Sequence, residues 1–450
     1  MIVSVTESYS REFHANLLLA IEASQSGLST LLLDQALLSE LIDELPNGGI
    51  CHFKSIDGAS SRVRLRQRLL EKHWKLTAQD QEHGILGSTF EQFGNSRIKE
   101  TNLSDFDAVF AWGNFDADWL WKKFPHASER ILKVGSPRLD LSKVEFEKAF
   151  GPVTENSGDY ILISCSFNIN NRVPYWESLT NLRKLGEYPD ISENPKLYYS
   201  HLEILGEEFS DLRQTIELVL YLRDKFPGVA VIVRPHPTED PIALESVFRG
   251  VDGVVVSSEG PIYPWIHRAR AVIHRGSTTA LNAVVSGKVP ILYPPLRTAR
   301  HPLAFAALLS QTPQTMHEAI DAIHISMTGG DQELLRKKQN FLRERVELSE
   351  AGSAKLMIDE WVKLAPHGGW PELSSSQIRR IRKASIKKCR QMEIQQQAPP
   401  RNGLIAGGRL KFPPLTETDV RQSVERISKV LGIQVPCTLF LSERSVLVQP

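Results

Sequence analysis

Between residues 228 and 293, three short β-branched runs each stop abruptly in a polar loop. Residues 229–233 lead into Arg234-Pro235-His236-Pro237, residues 254–256 into Ser257-Ser258-Glu259-Gly260, and residues 271–273 into His274-Arg275-Gly276-Ser277-Thr278-Thr279. Apolar runs this short, bounded by turn residues and separated by helical patterns, predict buried parallel strands of an α/β domain. Ligands of such sheets bind in the crevice at the carboxyl ends of the strands, so all three loops fall where a ligand should sit.

The rest of the chain must cover that sheet and build whatever faces it. With 450 residues there is room for two ordinary domains and an appendage. Ile2, Val3 and Val5 open a first strand. Ser10 is placed to cap a helix from Arg11 to about Ser26, and Gly27 to end it. Strands at 28–33, 50–53, 108–112 and 131–134, with helices between them (one spanning 61–76), describe a Rossmann-like domain over residues 1–140. Residues 141–158 read as a linker, and 159–365 as a second Rossmann-like domain with helical patterns at 201–224, 302–309, 315–326 and 332–363. Residues 366–415 read as a basic, flexible linker, and 416–450 as a small separate αβ module.

Composition narrows the function. Lys plus Arg and Asp plus Glu both number 53, so the chain has no net field to attract nucleic acid. Its four cysteines lack CxxC spacing, which argues against a zinc site or a disulfide framework and fits a reducing compartment. No apolar run is long enough to span a bilayer, and the first residues lack a basic signal-peptide region. These features predict a cytoplasmic protein. The basic stretch 378–390 interleaves Ile378, Ile381 and Ile386 with cations. It can lie on the inner membrane face or be a solvated helix.

Each candidate residue has a plainer reading beside the functional one. Gly276, Ser277, Thr278 and Thr279 join a strand to a helix, where unpaired N–H groups and hydroxyls suit a phosphate; an ordinary helix cap explains the same residues. Pro235 and Pro237 hold His236 rigidly at a strand end, from which an imidazole can donate to phosphate or move a proton. Ser257, Ser258 and Glu259 can accept from a ribose or base edge, or form a solvated turn. Asp80, Glu82 and His83 share one loop in which a carboxylate can act as base or nucleophile, and Glu7, Arg11 and Glu12 form a similar charged group. No acidic pair is placed to bind a metal, and no cofactor beyond a nucleotide-sugar substrate is expected.

Taken together, "ESYSREFHANLLLAIEASQSGLSTLLL", "TAQDQEHG", "FDAVFAWGNFDADWL", "ILKVGSPRLD", "VIVRPHPTED" and "VIHRGSTTALNAVVSGKVPI" resemble the bacterial surface carbohydrate (surface polysaccharide) biosynthesis family. That family is similar to capsule and lipopolysaccharide glycosyltransferases, some of which use CMP-activated Kdo or sialic acid. The resemblance implies a GT-B-like α/β fold, with two Rossmann-like domains facing across a cleft plus the C-terminal extension. It implies a metal-independent glycosyltransferase with a CMP- or UDP-linked sugar donor and a glycan or lipid-linked glycan acceptor. His236, Pro237, Ser277 and Thr278 would hold the donor phosphate, with Arg234, His274 and Thr279 beside them. Asp80 and Glu82 match the family's acidic loop, although His83 stands where acid–Gly is usual and Ser136 where Asn is. Glu7 and Arg11 would lie on the acceptor side. A nucleotide-sugar epimerase of the same fold and a non-catalytic scaffold for polysaccharide assembly are the alternatives.

Overall fold

A computed structural model describes residues 1–82, 84, 90–150, 159–167, 169, 192–295, 304–397 and 413–450. Thirteen strands are numbered in chain order: β1 Ile2–Thr6, β2 Thr30–Asp34, β3 Gly49–Phe53, β4 Trp74–Ala78, β5 Ala108–Ala111, β6 Ile131–Lys133, β7 Tyr160–Ser164, β8 Ala230–Arg234, β9 Val254–Val256, β10 Ala269–His274, β11 Pro290–Leu292, β12 Cys437–Ser442 and β13 Ser445–Gln449. They form two sheets in two compact units. One unit comprises Met1–Gly151, Asn340–Ile394 and Phe412–Pro450, the other Pro152–Gln339 and Gln395–Lys411. The fold class is α/β, as expected.

In the first unit, six parallel strands run in the order β2-β1-β3-β4-β5-β6, with the antiparallel hairpin β12-β13 added beside β2. Chain order reverses between β1 and β3, which places the ligand crevice of this doubly wound sheet there. β1 and β2 are buried at every position, as central strands covered on both faces must be. The helix His14–Gln25 is buried almost all round. Its outer side is covered by the helices Ser353–Lys363 and Glu417–Leu431, which makes it an inner layer.

Several sequence expectations change in this unit. The helix expected over 61–76 stops at Glu71; His73 takes a left-handed φ of 60°, and Trp74–Ala78 forms β4. Leu65, Leu69 and Leu70 carry a helical period that masks the switch to a strand with Trp74, Leu76 and Ala78 buried and Lys75 exposed. The pattern over 332–363 is two helices, Gln332–Arg345 and Ser353–Lys363, and the second packs within the first unit. The tail is not a separate module, because β12 and β13 complete the first sheet and Arg444 forms a buried ion pair with Asp34. Nor are residues 375–397 a flexible linker. They form one helix, Ser375–Gln397, whose Ile381 is fully buried in the first unit's core with Ile378 and Ala384 packed beside it. Ile378 and Ile381 therefore meet protein rather than lipid.

The second unit is a parallel sheet in the order β11-β10-β7-β8-β9, reversing between β7 and β10. Ile161, Ile163, Val231 and Val233 face one core, and Tyr160, Leu162, Ile232 and Val272 the other. This two-sided burial explains the unbroken apolar runs. β9 differs from expectation: it is an edge strand, with Val255 42% exposed. The long helix Pro195–Lys225 buries Leu218, Val219 and Leu222 in the first of these cores.

Candidate functional site

In the second unit the strand ends are level. Ser164 at the end of β7 pairs with Arg234 of β8 on one side and with His274 of β10 on the other. Neighbouring strands lie about 4.8 Å apart, so the loops beginning at Arg234 and His274 flank Cys165, Ser166 and Phe167 at the reversal point. Gly276 has a φ of 59°, a conformation that favours glycine, and lets the chain turn at once into the helix Thr279–Val285.

The predicted residues divide into those that shape this crevice and those that can face a ligand. Arg234 is buried, lies 5.3 Å from the Trp265 ring centroid, and donates to the Glu259 carbonyl at 2.8 Å and to the Gly260 carbonyl. Burial lowers its pKa to about 10, with Tyr160 and Glu259 opposing. Its guanidinium thus braces the loop after β9. His274 is fully buried. Its Nδ1 accepts the Ser277 N–H at 3.1 Å, so Nε2 carries the proton and donates to Ser310 Oγ at 2.8 Å. Both residues, expected to touch the donor, instead position loops. Thr279 is also buried, and its hydroxyl is 3.1 Å from Ser164 Oγ and 2.9 Å from Ser277 Oγ.

His236, Pro237, Ser277 and Thr278 are half-buried at the crevice. His236 Nδ1 accepts the Thr238 N–H at 3.3 Å and lies 2.8 Å from its hydroxyl, which leaves the ring proton on Nε2. Thr278 makes no side-chain cap to its helix. Ser258 and Glu259 are exposed beyond the edge strand, and Ser257 Oγ accepts the Glu259 N–H at 3.3 Å.

Residues not singled out from sequence tie these loops together. Arg275 is buried between Asp211 at 2.8 Å and Glu208 at 3.7 Å, and donates to the Ser166 carbonyl at 3.2 Å. Glu239, three residues after His236, is buried and accepts the N–H groups of Phe167 and His236. The acid-after-three spacing, familiar from helix caps, was the available signal.

In the first unit the charged candidates gather at the β1/β3 reversal. Glu7, after β1, pairs with Lys54, after β3, and with Arg62 at 3.9 Å. Arg97 reaches Glu82 at 2.8 Å and Asp80 at 3.5 Å, and Arg11 lies 3.8 Å from Glu82. Burial raises the Glu82 carboxyl, but Arg11, Arg97 and Lys54 outweigh it and hold its pKa below the usual range. β4 delivers these acids: Gln79 donates to the Gly135 carbonyl at 2.6 Å, and Asp80 follows it. His83 lies outside the described residues.

Ser10 is not the cap of the first helix. Residues Tyr9–Phe13 form a wide π turn, and the buried Glu12 carboxylate accepts the Glu7 N–H at 2.7 Å and the Ser8 N–H at 3.2 Å. An internal carboxylate thus fills the place after β1 where a phosphate would sit in such a sheet. Beside it is a pocket lined by Glu12, Asn16, His52, Lys54, Gln79 and Arg138, among others.

No family model matches the chain, and no curated protein matches it. Solved structures similar to it include UDP-GlcNAc 2-epimerase from Methanocaldococcus jannaschii (11% identity, 81% of this chain and 100% of that one, TM-score 0.47). Another is the wall teichoic acid polymerase TagF (9%, 80% and 88%, TM-score 0.48). A third is the pneumococcal O-GlcNAc transferase GtfA in complex with UDP and GlcNAc (8%, 73% and 58%, TM-score 0.35). These TM-scores are below 0.5, so the functional reading rests on the chain's own residues. Among the described residues no group of His, Cys, Asp or Glu is placed to hold a metal ion, and no helix is long and apolar enough to cross a membrane.

Proposed function

We propose that the chain is a glycosyltransferase that moves a sugar from a CMP- or UDP-linked donor, such as a CMP-Kdo-like sugar, to a glycan or lipid-linked glycan acceptor of a surface polysaccharide or lipopolysaccharide. The observation that carries this reading is the register of Arg234, Ser164 and His274, which sets the His236 and Ser277–Thr278 loops on either side of the β7 end at the sheet reversal. In this reading, His236 Nε2–H and the Thr278 hydroxyl donate to the phosphate oxygens, where negative charge grows as the glycosidic bond breaks. Glu259, with Ser257 and Ser258, is placed to receive the ribose or base.

Asp80 and Glu82 serve the acceptor, with Glu7 and Arg11 beside them. Arg97 pairs with both carboxylates, and Asp80 or Glu82 is assigned as the base or nucleophile. The exposed cations Arg379, Arg382, Lys383, Lys387 and Arg390 supply electrostatic contact with an anionic membrane face, without insertion.

Calorimetric titration of CMP-, UDP- and CDP-sugars tests the reading. Heat with one of them, weakened by His236→Ala, is expected; no heat with any would end it. Incubation with donor alone distinguishes the epimerase, since an epimerised sugar formed without acceptor would replace transfer as the activity.

A further inference from the structure

The loops of the second unit's crevice are held by buried carboxylates as much as by the residues that face outward. Glu239 is 1% exposed. Its Oε1 accepts the Phe167 N–H at 2.9 Å, its Oε2 accepts the His236 N–H, and its own N–H returns to the His236 carbonyl at 2.8 Å. Phe167 follows β7 and His236 follows β8, so one side chain ties two adjacent strand-end loops. Arg275 holds the same stretch from the β10 side, through the Ser166 carbonyl and a cation–π contact 5.3 Å from the Phe167 centroid. Two converging N–H donors require a group that accepts at both ends. A carboxylate does so, whereas a carboxamide would present its own N–H to one of them. Burying a charge costs stability, and its two charge-assisted bonds at the crevice are what offset it here.

We propose that Glu239 is a positioning residue for the nucleotide-sugar: its carboxylate fixes the His236 backbone against the Phe167 loop and so aims the imidazole at the donor phosphate. This rests on the reading of the second unit as the donor-binding unit.

The role has a pH signature. Burial pushes the Glu239 carboxyl up to about 7, opposed by the N–H bonds from His236 and Phe167; Glu208 raises it further and Arg275 lowers it. Among the described residues, the groups facing it are Glu208 on the long helix, Arg275 after β10, Cys165 after β7 and His236 in its own loop. Above the folded pKa the carboxylate accepts both N–H groups. Below it the protonated acid loses one acceptor, so donor affinity falls with pH. Protonation of the His236 ring has the opposite sign, since it would strengthen phosphate binding.

The test is calorimetry of the full chain with a UDP- or CMP-sugar, whose phosphate diesters do not titrate near neutrality, from about pH 8 to about pH 6. Relative to Glu239→Gln, wild-type affinity should weaken as pH falls. Glu239→Gln should weaken binding roughly ten- to hundredfold at the upper pH and abolish the pH limb. In a His236→Ala background the same substitution should cost little more. Equal affinity in Glu239→Gln, additive losses with His236→Ala, or a Glu239→Gln pH profile identical in shape to that of the wild type would overturn the inference. Should Glu239→Gln fail to fold, Glu239→Asp, whose shorter carboxylate cannot span both N–H groups, should weaken binding in its place, and wild-type affinity in Glu239→Asp would overturn the inference. Absence of any binding by the wild type would overturn the donor-site reading and this inference with it.

Discussion

Ile381 provides a direct test of where the basic helix belongs. It is fully buried on Ser375–Gln397, in a core that also takes Leu373, Leu41 and Leu447. Ile381→Ala removes the side chain beyond Cβ from a site with no solvent access. Substitutions of this kind cost about 2–5 kcal/mol, and full burial in a sheet-backed core places this one near ~3 kcal/mol. In a unit of this size that corresponds to a fall in melting temperature of roughly 6–12 °C. Ile394 on the same helix is 69% exposed and serves as the control. Ile394→Ala should stay within about 0.5 kcal/mol. Thermal unfolding followed by circular dichroism, with liposome co-sedimentation alongside, reads both quantities. Ile381→Ala should leave liposome binding per folded molecule unchanged. If both variants keep the wild-type melting temperature and Ile381→Ala loses liposome binding, the stripe faces lipid and the packing argument is wrong.

Arg444→Met should destabilise the first unit by about 3–5 kcal/mol in urea titrations, because it leaves Asp34 buried without its guanidinium; a loss below about 1 kcal/mol would mean that β13 does not depend on the pair. Burial lowers His14 to a pKa of about 4, so its contribution is fully present above the unfolded value near 6.5 and is lost as pH falls toward the folded value. His14→Leu should therefore reduce the stability lost between pH 7 and pH 5 by about 2 kcal/mol, and an unchanged pH dependence would count against a neutral buried imidazole. Asp80→Asn should abolish sugar transfer while donor affinity, measured by calorimetry, stays within about twofold; transfer retained at wild-type rate would remove Asp80 as the base.

Most strands of both sheets were legible in the sequence, because strands buried on two faces must be short, apolar and punctuated by turns. β4 and β11 were missed, β4 with the larger consequence. Trp74 continues the leucine period of the preceding helix, and no Gly or Pro marks the break. Its loss from the reading mattered, since Gln79 and Asp80 owe their position to it. The His236 and Ser277–Thr278 loops were legible as candidates, because phosphate-suited residue types followed strand-like runs. The division of labour inside them was not. Arg234 and His274 have the composition of ligand-binding residues and the burial of struts, and burial depends on which segments cover a loop.

The sequence by itself determined the α/β class, the strand-end placement of the crevice residues and the absence of a strong net charge, since each follows from local pattern and composition. Tertiary structure decided that the tail completes the first sheet, that the isoleucines at 378 and 381 face protein, that Glu12 fills the anion position after β1, and that Glu239 and Arg275 tie the crevice loops together. Those outcomes depend on hydrogen bonds and packing between residues far apart in the chain, and a carboxylate or an apolar stripe carries no local mark of the partner it will meet.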